Sequence, residues 1–455
     1  MQNRILIKDL KNYIGQEVII AGTIDLRRDH GKLIFLDLRD CSGFMQIVVN
    51  KKNEPVYNIL EKVKSEWNIS LKGLVKKRTE QTINPNVFNG DLEVEALTAE
   101  ILGEAEEIPF EKDTTEINLE TYLDYLPYTL RGEKPKAIFR IQSQIVKLFR
   151  EFLTQQDFVE IQAPKIIGED AEGGATTFVL DYFGYPAHLA QSPQFYKQIM
   201  VGVYERVFTV GNVYRAEPHS TTRHLNEYTS LDLEMGFIES HVDIMDLETH
   251  LLAYIMQGLE KTNSADFKFL NATIPIVPDQ IPVLKFREAQ KLIKEATGED
   301  CLNEPDLEPA HERWLCEYSS KKFNSDFIFI THFPMSKRPM YTYEDENDPG
   351  YAKGFDLLFR GIEITTGGQR IHNYEKLVLA IKQKGLNPEK FNYYLQAFKY
   401  GMPPHGGLGM GLERLTAKLI EVDNVREAAL FPRDIHRIDY LLSQGSKNNN
   451  HNNKK

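Results

Sequence analysis

Cysteine is scarce in this chain of 455 residues, which carries only Cys41, Cys301 and Cys316. None of the three belongs to a CxxC or CxxH pattern, so neither structural zinc nor a disulfide framework is indicated. Long apolar runs are also missing, since no stretch approaches the roughly 20 residues needed to cross a bilayer. The opening residues, MQNRILIKDL, hold charges where an export signal has its apolar segment. These absences favour a cytoplasmic protein that does not cross a membrane.

Basic charge is in deficit as well. The chain has 54 Lys and Arg against 66 Asp and Glu, a formal net charge of −12. This balance argues against a protein that binds nucleic acid by bulk charge, although local binding stays open. Residues 1–100 are nearly neutral, with 15 basic and 14 acidic side chains, and could approach a polyanion more easily than the rest. The length exceeds what one hydrophobic core usually serves, so two domains are expected.

The first hundred residues have the pattern of a small β-barrel. The runs VIIAGTI, KLIFLDLRD and GFMQIVV are rich in β-branched and aromatic residues and are separated by turn signals. Two further strands are expected at Trp67–Val75 and Leu92–Ile101, with a helix near Val56–Lys64. Five short strands with one intervening helix are typical of the oligonucleotide-binding (OB) fold. A small β domain with a purely structural role is the alternative at this point.

The remainder of the chain predicts an α+β domain. An acidic, irregular stretch at 103–135 is interpreted as a linker, and a helix follows in which Ile138, Ile141, Ile145 and Phe149 recur at helical spacing. Later strand-like runs, the first at Tyr185–Ala190, are joined by turns and polar loops rather than by regular crossover helices, so a largely antiparallel sheet is expected. The predicted domains are therefore 1–102 for the barrel and 136–441 for the second domain. The polar segment 442–455 is predicted to be a disordered tail.

Phosphate-binding loops of the common kinds are absent. No GxxxxGK[ST] pattern occurs, and the one glycine-rich segment, GGLGMGLERL from Gly406 to Leu415, follows the paired prolines Pro403 and Pro404. A dinucleotide fingerprint needs a buried central strand before its glycines, and prolines do not lie in such a strand. Close packing of a strand and a helix, with Glu413 and Arg414 as ordinary surface charges, is the simpler interpretation of this segment alone.

Two other segments carry arginine together with carboxylates. In FTVGNVYRAE, Arg215 and Glu217 share one face at the end of a strand, and the following loop offers phosphate-capable donors that include Arg223 and His224. A core ion pair is the alternative for Arg215 and Glu217. The chain then re-enters a strand that carries Asp232 and Glu234, of which only Asp232 is assigned to the site below. A hairpin whose tip holds such donors suits a triphosphate.

The second of these segments is FDLLFRGIEITTGGQRIH. Asp356, Glu363 and Thr366 supply oxygens that could hold Mg²⁺ on the phosphates of a nucleotide, ahead of Arg370. Together with Arg414, the chain thus offers several guanidinium groups and a carboxylate-held metal. Nucleotidyl transfer requires this combination, because negative charge grows on the α-phosphoryl group and on the pyrophosphate that leaves.

These segments, with FVEIQAPKII, AEGGATTF, LAQSPQFYKQ and YGMPPHGGLGMGLERL, resemble the motifs of the class II aminoacyl-tRNA synthetases. Within that class the chain is similar to the archaeal-type aspartyl enzymes of subclass IIb, over residues 1 to about 441. The resemblance implies an anticodon-binding barrel followed by a catalytic domain with an antiparallel sheet. It also implies that the glycine segment is a close-packed strand and helix start that presents Arg414 to ATP.

The resemblance further implies the nucleotide site, with Arg215, Glu363 and Arg414 as catalytic residues. Arg215 is expected to contact the α-phosphate, Glu217 and Tyr228 the adenine, and His224 and Arg414 the distal phosphates. Arg223 is also expected to bind ATP. Glu363 and Thr366 are expected to bind Mg²⁺ that accompanies ATP.

The amino-acid pocket implied by the resemblance binds L-aspartate through Lys197 and Arg370, with Glu172, Gln194 and Asp232 as acidic and polar partners. A buried ammonium at Lys197 would be left unpaired by the neutral amide of asparagine. Lys197 therefore disfavours an asparaginyl-tRNA synthetase, and the intact barrel disfavours a paralogue that makes asparagine. Both remain as alternatives.

In the barrel, Arg27, Phe35 and Gln46 correspond to the residues with which the family stacks and reads the central anticodon base. Aromatic stacking with hydrogen bonds to the base edge is how single-stranded RNA is generally recognised. The expected partner is tRNA(Asp), and Asp25, which could accept a hydrogen bond from the first anticodon base, leans slightly toward strict specificity. Charging of tRNA(Asn) as well stays open. The segment with Pro164 resembles the element through which these enzymes form homodimers.

Overall fold

The structure is a computed structural model that describes residues 3–85, 89–169, 177–218 and 221–442. The chain divides into two compact units, Met1–Thr114 and Thr115–Lys455. No helix within the described ranges is long and apolar enough to span a membrane. Apart from Leu442, the predicted polar tail lies outside the described residues.

The first unit is a closed barrel. Its elements are β1 (Glu17–Asp29), β2 (Leu33–Asp40), β3 (Gly43–Asn50), α1 (Glu54–Leu60), β4 (Asn68–Lys77) and β5 (Leu92–Gly103). The strands close in the order β1-β2-β3-β5-β4, and β3 and β5 are the parallel pair. Along β2, Ile34, Leu36 and Leu38 are fully buried and alternate with residues that face outward. The predicted OB fold is confirmed, with α1 between β3 and β4.

The stretch interpreted as a linker, 103–135, is more ordered than its composition suggests. The indole of Trp67 donates to the carbonyl of Ala105 at 3.0 Å, and the ammonium of Lys112 lies 2.7 Å from the Asp25 carboxylate. Residues up to Thr114 therefore belong to the barrel unit. In the second unit, the short helices α2 (Leu119–Asp124) and α3 (Leu126–Thr129) occupy part of the same stretch.

The second unit is built on a large sheet. The strands of the second unit are β6 (Val159–Glu160), β7 (Ile166–Ile167), β8 (Val179–Tyr182), β9 (Tyr185–Leu189), β10 (Arg206–Tyr214), β11 (Glu227–Gly236), β12 (Val283–Lys285), β13 (Phe327–Thr331), β14 (Gly354–Phe359), β15 (Ile362–Arg370) and β16 (His405–Gly411). Eight described strands form the main sheet in the order β12-β13-β14-β15-β16-β11-β10-β6. All neighbours are antiparallel except the two outermost pairs, so the α+β prediction is confirmed.

The predicted strand at Tyr185–Ala190 does not join this sheet. It is β9, the centre of a separate three-stranded sheet in the order β7-β9-β8. Local sequence indicates a strand but does not reveal which sheet the strand joins, because pairing partners are distant along the chain.

The helices of the second unit cover the sheet. After α3 they are α4 (Glu133–Gln155), α5 (Gln194–Tyr204), α6 (Val242–Leu270), α7 (Phe286–Thr297), α8 (Pro309–Phe323), α9 (Tyr374–Gln383), α10 (Asn392–Lys399) and α11 (Leu412–Leu419). The predicted apolar face of α4 is buried against α6 and the sheet. A Cβ on Gly258 would lie 2.5 Å from Leu148, so the glycine allows the close approach of α4 and α6.

Candidate active site

One cavity of about 520 Å³ opens on the face of the sheet formed by β10, β11, β16 and β15. It brings together every predicted nucleotide- or aspartate-binding residue that the structure describes: Gln194, Lys197, Arg215, Glu217, Arg223, His224, Tyr228, Asp232, Glu363, Thr366, Arg370 and Arg414. These residues come from segments up to 220 positions apart in sequence, so only the fold places them side by side. Glu172, the remaining predicted aspartate ligand, lies outside the described residues.

The glycine-rich segment forms part of the base of the cavity. Most of the segment is strand β16, and α11 begins directly after Gly411. A Cβ on Gly407 would lie 2.2 Å from Glu234 Oε2, and one on Gly409 would lie 3.0 Å from Asp232 Oδ1. The glycines thus leave room for two carboxylates above the strand.

Lys197 and Arg370 lie at the deep end of the cavity, each paired with a carboxylate. The fully buried ammonium of Lys197 donates to Asp232 Oδ1 at 3.0 Å and to the carbonyl of Leu408 at 2.9 Å. The guanidinium of Arg370 donates to Glu234 Oε1 at 3.0 Å. Glu234 was not among the predicted site residues, although it stands two positions after Asp232 and therefore on the same face of β11.

Three buried polar atoms at this end have no hydrogen-bond partner among the described residues: Asp232 Oδ2, Glu234 Oε2 and Gln194 Nε2. Unsatisfied buried groups are rare in folded proteins and call for a ligand or water. Burial would raise the pKa of Glu234, but the charges of Arg370 and Lys197 outweigh it and hold the pKa below its usual value. The carboxylate is therefore charged at neutral pH. The site can accept an ammonium as well as a carboxylate.

Arg215 follows the end of β10 and is exposed to the cavity. Its guanidinium lies over the ring of Tyr228 at 5.6 Å from the centroid, and Nη1 is 3.8 Å from Glu217 Oε1. The alternative of a buried core ion pair does not apply, since 43% of the Arg215 side chain is exposed. An aromatic ring, a carboxylate and a guanidinium are thus arranged side by side, as a purine nucleotide requires.

Arg223 and His224 line the same cavity but already have protein partners. Arg223 donates to both carboxylate oxygens of Glu312 at 3.0 and 2.8 Å, and His224 Nδ1 lies 2.6 Å from the Thr221 hydroxyl. Glu312 lies on α8 and was not singled out from the sequence. Its position could not have been found there, because nothing local links α8 to the loop that carries Arg223.

Glu363, Thr366 and Arg414 form a connected group at the other end of the cavity. The Thr366 hydroxyl donates to Glu363 Oε1 at 2.9 Å, and Arg414 Nη1 donates to the Glu363 carbonyl at 3.0 Å. Burial alone would raise the pKa of Glu363, yet the Arg414 charge and the Thr366 hydrogen bond keep it below its usual value. Glu363 thus presents a charged oxygen beside a hydroxyl.

Asp356, the other candidate metal ligand, is engaged by the protein. Arg338 donates to both of its carboxylate oxygens at 3.1 and 3.0 Å. Burial raises the pKa of Asp356 to about 6, against the lowering effect of Arg338. Arg338 also lines the cavity and was missed, since its segment has no motif that the sequence interpretation used.

Glu413 is not the surface charge that the simpler interpretation of GLGMGLERL assumed. Its side chain is buried, and both carboxylate oxygens accept from the backbone N–H of Thr229 at 3.0 Å. Burial raises the pKa of Glu413 to about 7. The residue ties the start of α11 to β11, and so fixes the helix that presents Arg414.

In the barrel unit, the strand register separates the three predicted anticodon residues. Phe35 pairs with Arg28 and with Val48, and Gln46 pairs with Asp37, so Phe35 and Gln46 share the outer face of the barrel. Arg27 pairs with Leu36, whose side chain is in the core, and therefore lies on the opposite face. Arg28 is the arginine on the face of Phe35, where it makes a bidentate pair with Asp37 at 2.7 and 2.8 Å.

Comparisons with known proteins agree with this arrangement. Residues 118–435 match the family described as tRNA synthetases class II (D, K and N), and residues 18–102 match the OB-fold nucleic acid binding domain. The chain is 47% identical to an aspartate–tRNA(Asp/Asn) ligase of Thermus thermophilus, over 96% of this chain and 99% of that protein. It is 37% identical to an aspartate–tRNA(Asp) ligase of Pyrococcus abyssi, over 93% and 96%. A crystal structure of asparaginyl-tRNA synthetase from Pyrococcus horikoshii, complexed with asparaginyl-adenylate, superimposes with a TM-score of 0.87 at 29% identity, over 97% of this chain and 100% of that one.

Proposed function

The chain belongs to the class II tRNA synthetases (D, K and N), and we propose on that premise that it activates L-aspartate with ATP and transfers it to tRNA(Asp). It is an aspartate–tRNA ligase. The observation that carries the choice of amino acid is the buried ammonium of Lys197, held 3.0 Å from Asp232 at the deep end of the cavity.

The chemistry follows from the two ends of the cavity. A carboxylate oxygen of aspartate attacks the α-phosphorus of ATP, the bond to the β-phosphate oxygen breaks, and pyrophosphate leaves. Arg215, exposed beside Tyr228, is placed to stabilise the negative charge that grows on the α-phosphoryl group. Arg414 donates a hydrogen bond to the Glu363 carbonyl and would bind the distal phosphates of ATP. In the second step a ribose hydroxyl at the 3′ end of the tRNA attacks the activated carbonyl, and AMP leaves.

We infer that Mg²⁺ accompanies ATP at Glu363 and Thr366. Mg²⁺ prefers one or two carboxylates together with phosphate and water oxygens, and this pair offers one carboxylate and one hydroxyl. Within the described residues, no group of three His, Cys, Asp or Glu side chains is arranged around a single ion. The donor set therefore fits an ion that arrives with the nucleotide, and such an ion would neutralise charge on the phosphates.

Asparagine is the competing substrate, because the superimposable Pyrococcus horikoshii enzyme is an asparaginyl-tRNA synthetase. ATP–pyrophosphate exchange with aspartate and with asparagine, run in parallel, tests the choice. We expect exchange with aspartate only. Equal exchange with both would contradict the proposal.

We further propose that tRNA(Asn) is charged as well, against the slight lean of the sequence toward strict specificity. The Asp25 carboxylate oxygen Oδ1 accepts from Arg39 at 2.9 Å and from Lys112 at 2.7 Å, so it is engaged within its own unit rather than open to a base. The Thermus thermophilus relative is named for both tRNAs. Charging efficiencies for purified tRNA(Asp) and tRNA(Asn) within about tenfold, or 1.4 kcal/mol, are expected. A difference in charging efficiency larger than this would contradict the proposal and support strict specificity for tRNA(Asp).

We propose a cytoplasmic homodimer as the working form. Apolar side chains are exposed on and near the segment that resembles the dimer-forming motif, among them Val159 at 39%, Ile166 at 48% and Val179 at 65% exposure. Large exposed apolar surfaces commonly mark protein interfaces. Light scattering of the full chain should give twice 52.5 kDa. A monomer at micromolar concentration would refute the dimer.

A further inference from the structure

Lys165 lies between β6 and β7, beside the aspartate end of the cavity. Its carbonyl accepts from the N–H of Ala190 at 2.9 Å, and the carbonyl of Ala190 accepts from the N–H of Tyr214 at 3.0 Å. Two backbone hydrogen bonds therefore fix the position of Lys165 relative to the end of β10. Gln191, the residue after Ala190, lines the cavity.

The ammonium of Lys165 extends over β10 on the cavity face. A Cβ on Gly211 would lie 3.1 Å from Lys165 Nζ and 3.4 Å from Cε. Gly211 pairs with Ser230 across the β10–β11 ladder, and directly paired residues point to the same face. Ser230 and Asp232 both line the cavity on that face. The lysine can occupy this place because residue 211 has no side chain.

Lys165 is half-buried, and its ammonium makes no hydrogen bond or ion pair with the residues that the structure describes. Burial lowers the pKa of its ammonium, and the nearby charge of Asp232 acts in the opposite direction. A partly desolvated cation without a partner is unfavourable unless a ligand supplies the opposite charge.

The charge balance of the site indicates what that ligand is. Lys197 and Arg370 are each matched by a carboxylate, Asp232 and Glu234 respectively. These four groups sum to zero, so beyond the direct contact with Lys197 they add no net attraction for an acidic side chain. Lys165 adds one positive charge, and aspartate carries one negative charge more than asparagine at neutral pH.

We propose that Lys165 is a further specificity-determining cation of the amino-acid site, one that favours aspartate over asparagine through charge. The proposal rests on the aspartate–tRNA ligase function above. Lys165 attracts and orients the amino acid as it binds, before the reaction with ATP.

The test is pyrophosphate exchange by the full-length Lys165→Met variant, whose side chain keeps a similar length without the charge. We expect the KM for aspartate to rise about tenfold, the size expected for loss of one partly solvated charge near the ligand. The kcat and the KM for ATP should stay within about twofold. The inhibition constant of asparagine should not change, since a neutral side chain gains nothing from the cation. Lys165→Arg should restore most of the affinity for aspartate.

Gly211→Ala provides a second, independent variant. It keeps the charge of Lys165 but places a methyl group 3.1 Å from the ammonium, so the ammonium must shift by a few tenths of an ångström. The backbone of Gly211 is not in the left-handed region, and alanine is therefore tolerated there. We expect a severalfold rise in the KM for aspartate in the wild-type background and no further rise when Lys165→Met is already present.

An unchanged KM for aspartate in Lys165→Met would overturn the proposal, as would an equal weakening of asparagine inhibition. Loss of transfer to tRNA with pyrophosphate exchange intact would also overturn the proposal, because Lys165 would then act in the transfer step rather than in binding aspartate. If the proposed function itself were wrong, the wild-type protein would show no ATP–pyrophosphate exchange with aspartate.

Discussion

Gly409 lies directly opposite Asp232 in the β11–β16 ladder, and a Cβ on Gly409 would come within 3.0 Å of the Asp232 carboxylate. Since Asp232 Oδ1 is also the acceptor for Lys197, the glycine secures the geometry of the whole aspartate end. The glycine-rich strand thus contributes to the site through the space that it leaves empty.

Gly409→Ala should therefore impair the amino-acid site while the fold survives. The added methyl group must displace the Asp232 carboxylate, so we expect the KM for aspartate to rise at least tenfold, or about 1.4 kcal/mol, in pyrophosphate exchange. Gly411→Ala is the matched control on the same strand, because its Cβ would meet only Arg414 at an ordinary 3.7 Å. Equal effects of the two substitutions would contradict the account.

Lys197→Met should raise the KM for aspartate and lower kcat together. The change removes a buried ammonium and leaves Asp232 without its partner, and such losses typically cost about 3–5 kcal/mol when one member of a buried pair is removed. Steady-state exchange kinetics with thermal unfolding as a stability check would measure both effects. Lys136→Met, which removes a partly exposed lysine paired with Glu133, should leave exchange unchanged.

Arg215→Ala should slow adenylate formation by about 10²–10³, because the charge that Arg215 stabilises grows only in the transition state. Affinity for tRNA should be nearly unchanged in a filter-binding assay. Arg206→Ala is a suitable control, since Arg206 stands at the opposite end of β10 with similar exposure, 40% against 43%. A fall in tRNA affinity that matches the rate loss would contradict the role of Arg215.

Phe35→Ala should affect tRNA charging without affecting pyrophosphate exchange. Loss of one base-stacking ring typically costs about 1–3 kcal/mol, so the KM for tRNA should rise about tenfold or more. Ile14→Ala, which truncates an exposed apolar residue of the same unit, serves as the control. If exchange fell in parallel with charging, Phe35 would have a structural role instead.

Glu248 should make the stability of the protein depend on pH. Its side chain on α6 is fully buried, and burial raises the pKa of its carboxyl from 4.5 to about 8, with the Thr365 hydroxyl acting against the rise. The folded state therefore holds a proton that the unfolded state releases above pH 4.5. The contribution of the protonated acid is complete below that pH and is lost, by roughly 1.4 kcal/mol per pH unit, up to about pH 8.

The variant Glu248→Gln does not titrate, so its stability relative to wild type should increase between pH 5 and pH 8. Urea unfolding at several pH values would measure the difference. Glu260→Gln, on the exposed face of the same helix, should show no such trend. Parallel pH profiles of wild type and Glu248→Gln would show that Glu248 stays charged in the folded protein.

The local pattern of the sequence was sufficient for many of the elements, although not for the short helices α2 and α3 in the stretch interpreted as a linker. Alternation along β2 and the spacing of Ile138, Ile141 and Ile145 on α4 determined the strands and the helix, because each pattern records which side of one element faces a core. The motif residues determined the family and the content of the cavity, since their side chains have the chemistry that ATP and aspartate require.

The tertiary structure decided what those residues contact. Arg27 and Arg28 are neighbours in sequence, and only the register across β1 and β2 places Arg28 on the face of Phe35. Asp25 carries a charge that suggests a base contact, but Arg39 and Lys112 pair with it from 14 and 87 residues away. The sequence around Glu413 suggested a surface charge, but the side chain is buried. The ammonium of Lys165 can lie over β10 because residue 211 is a glycine. Such pairings depend on chain segments far apart, so the free energy that favours them has no local signature in the sequence.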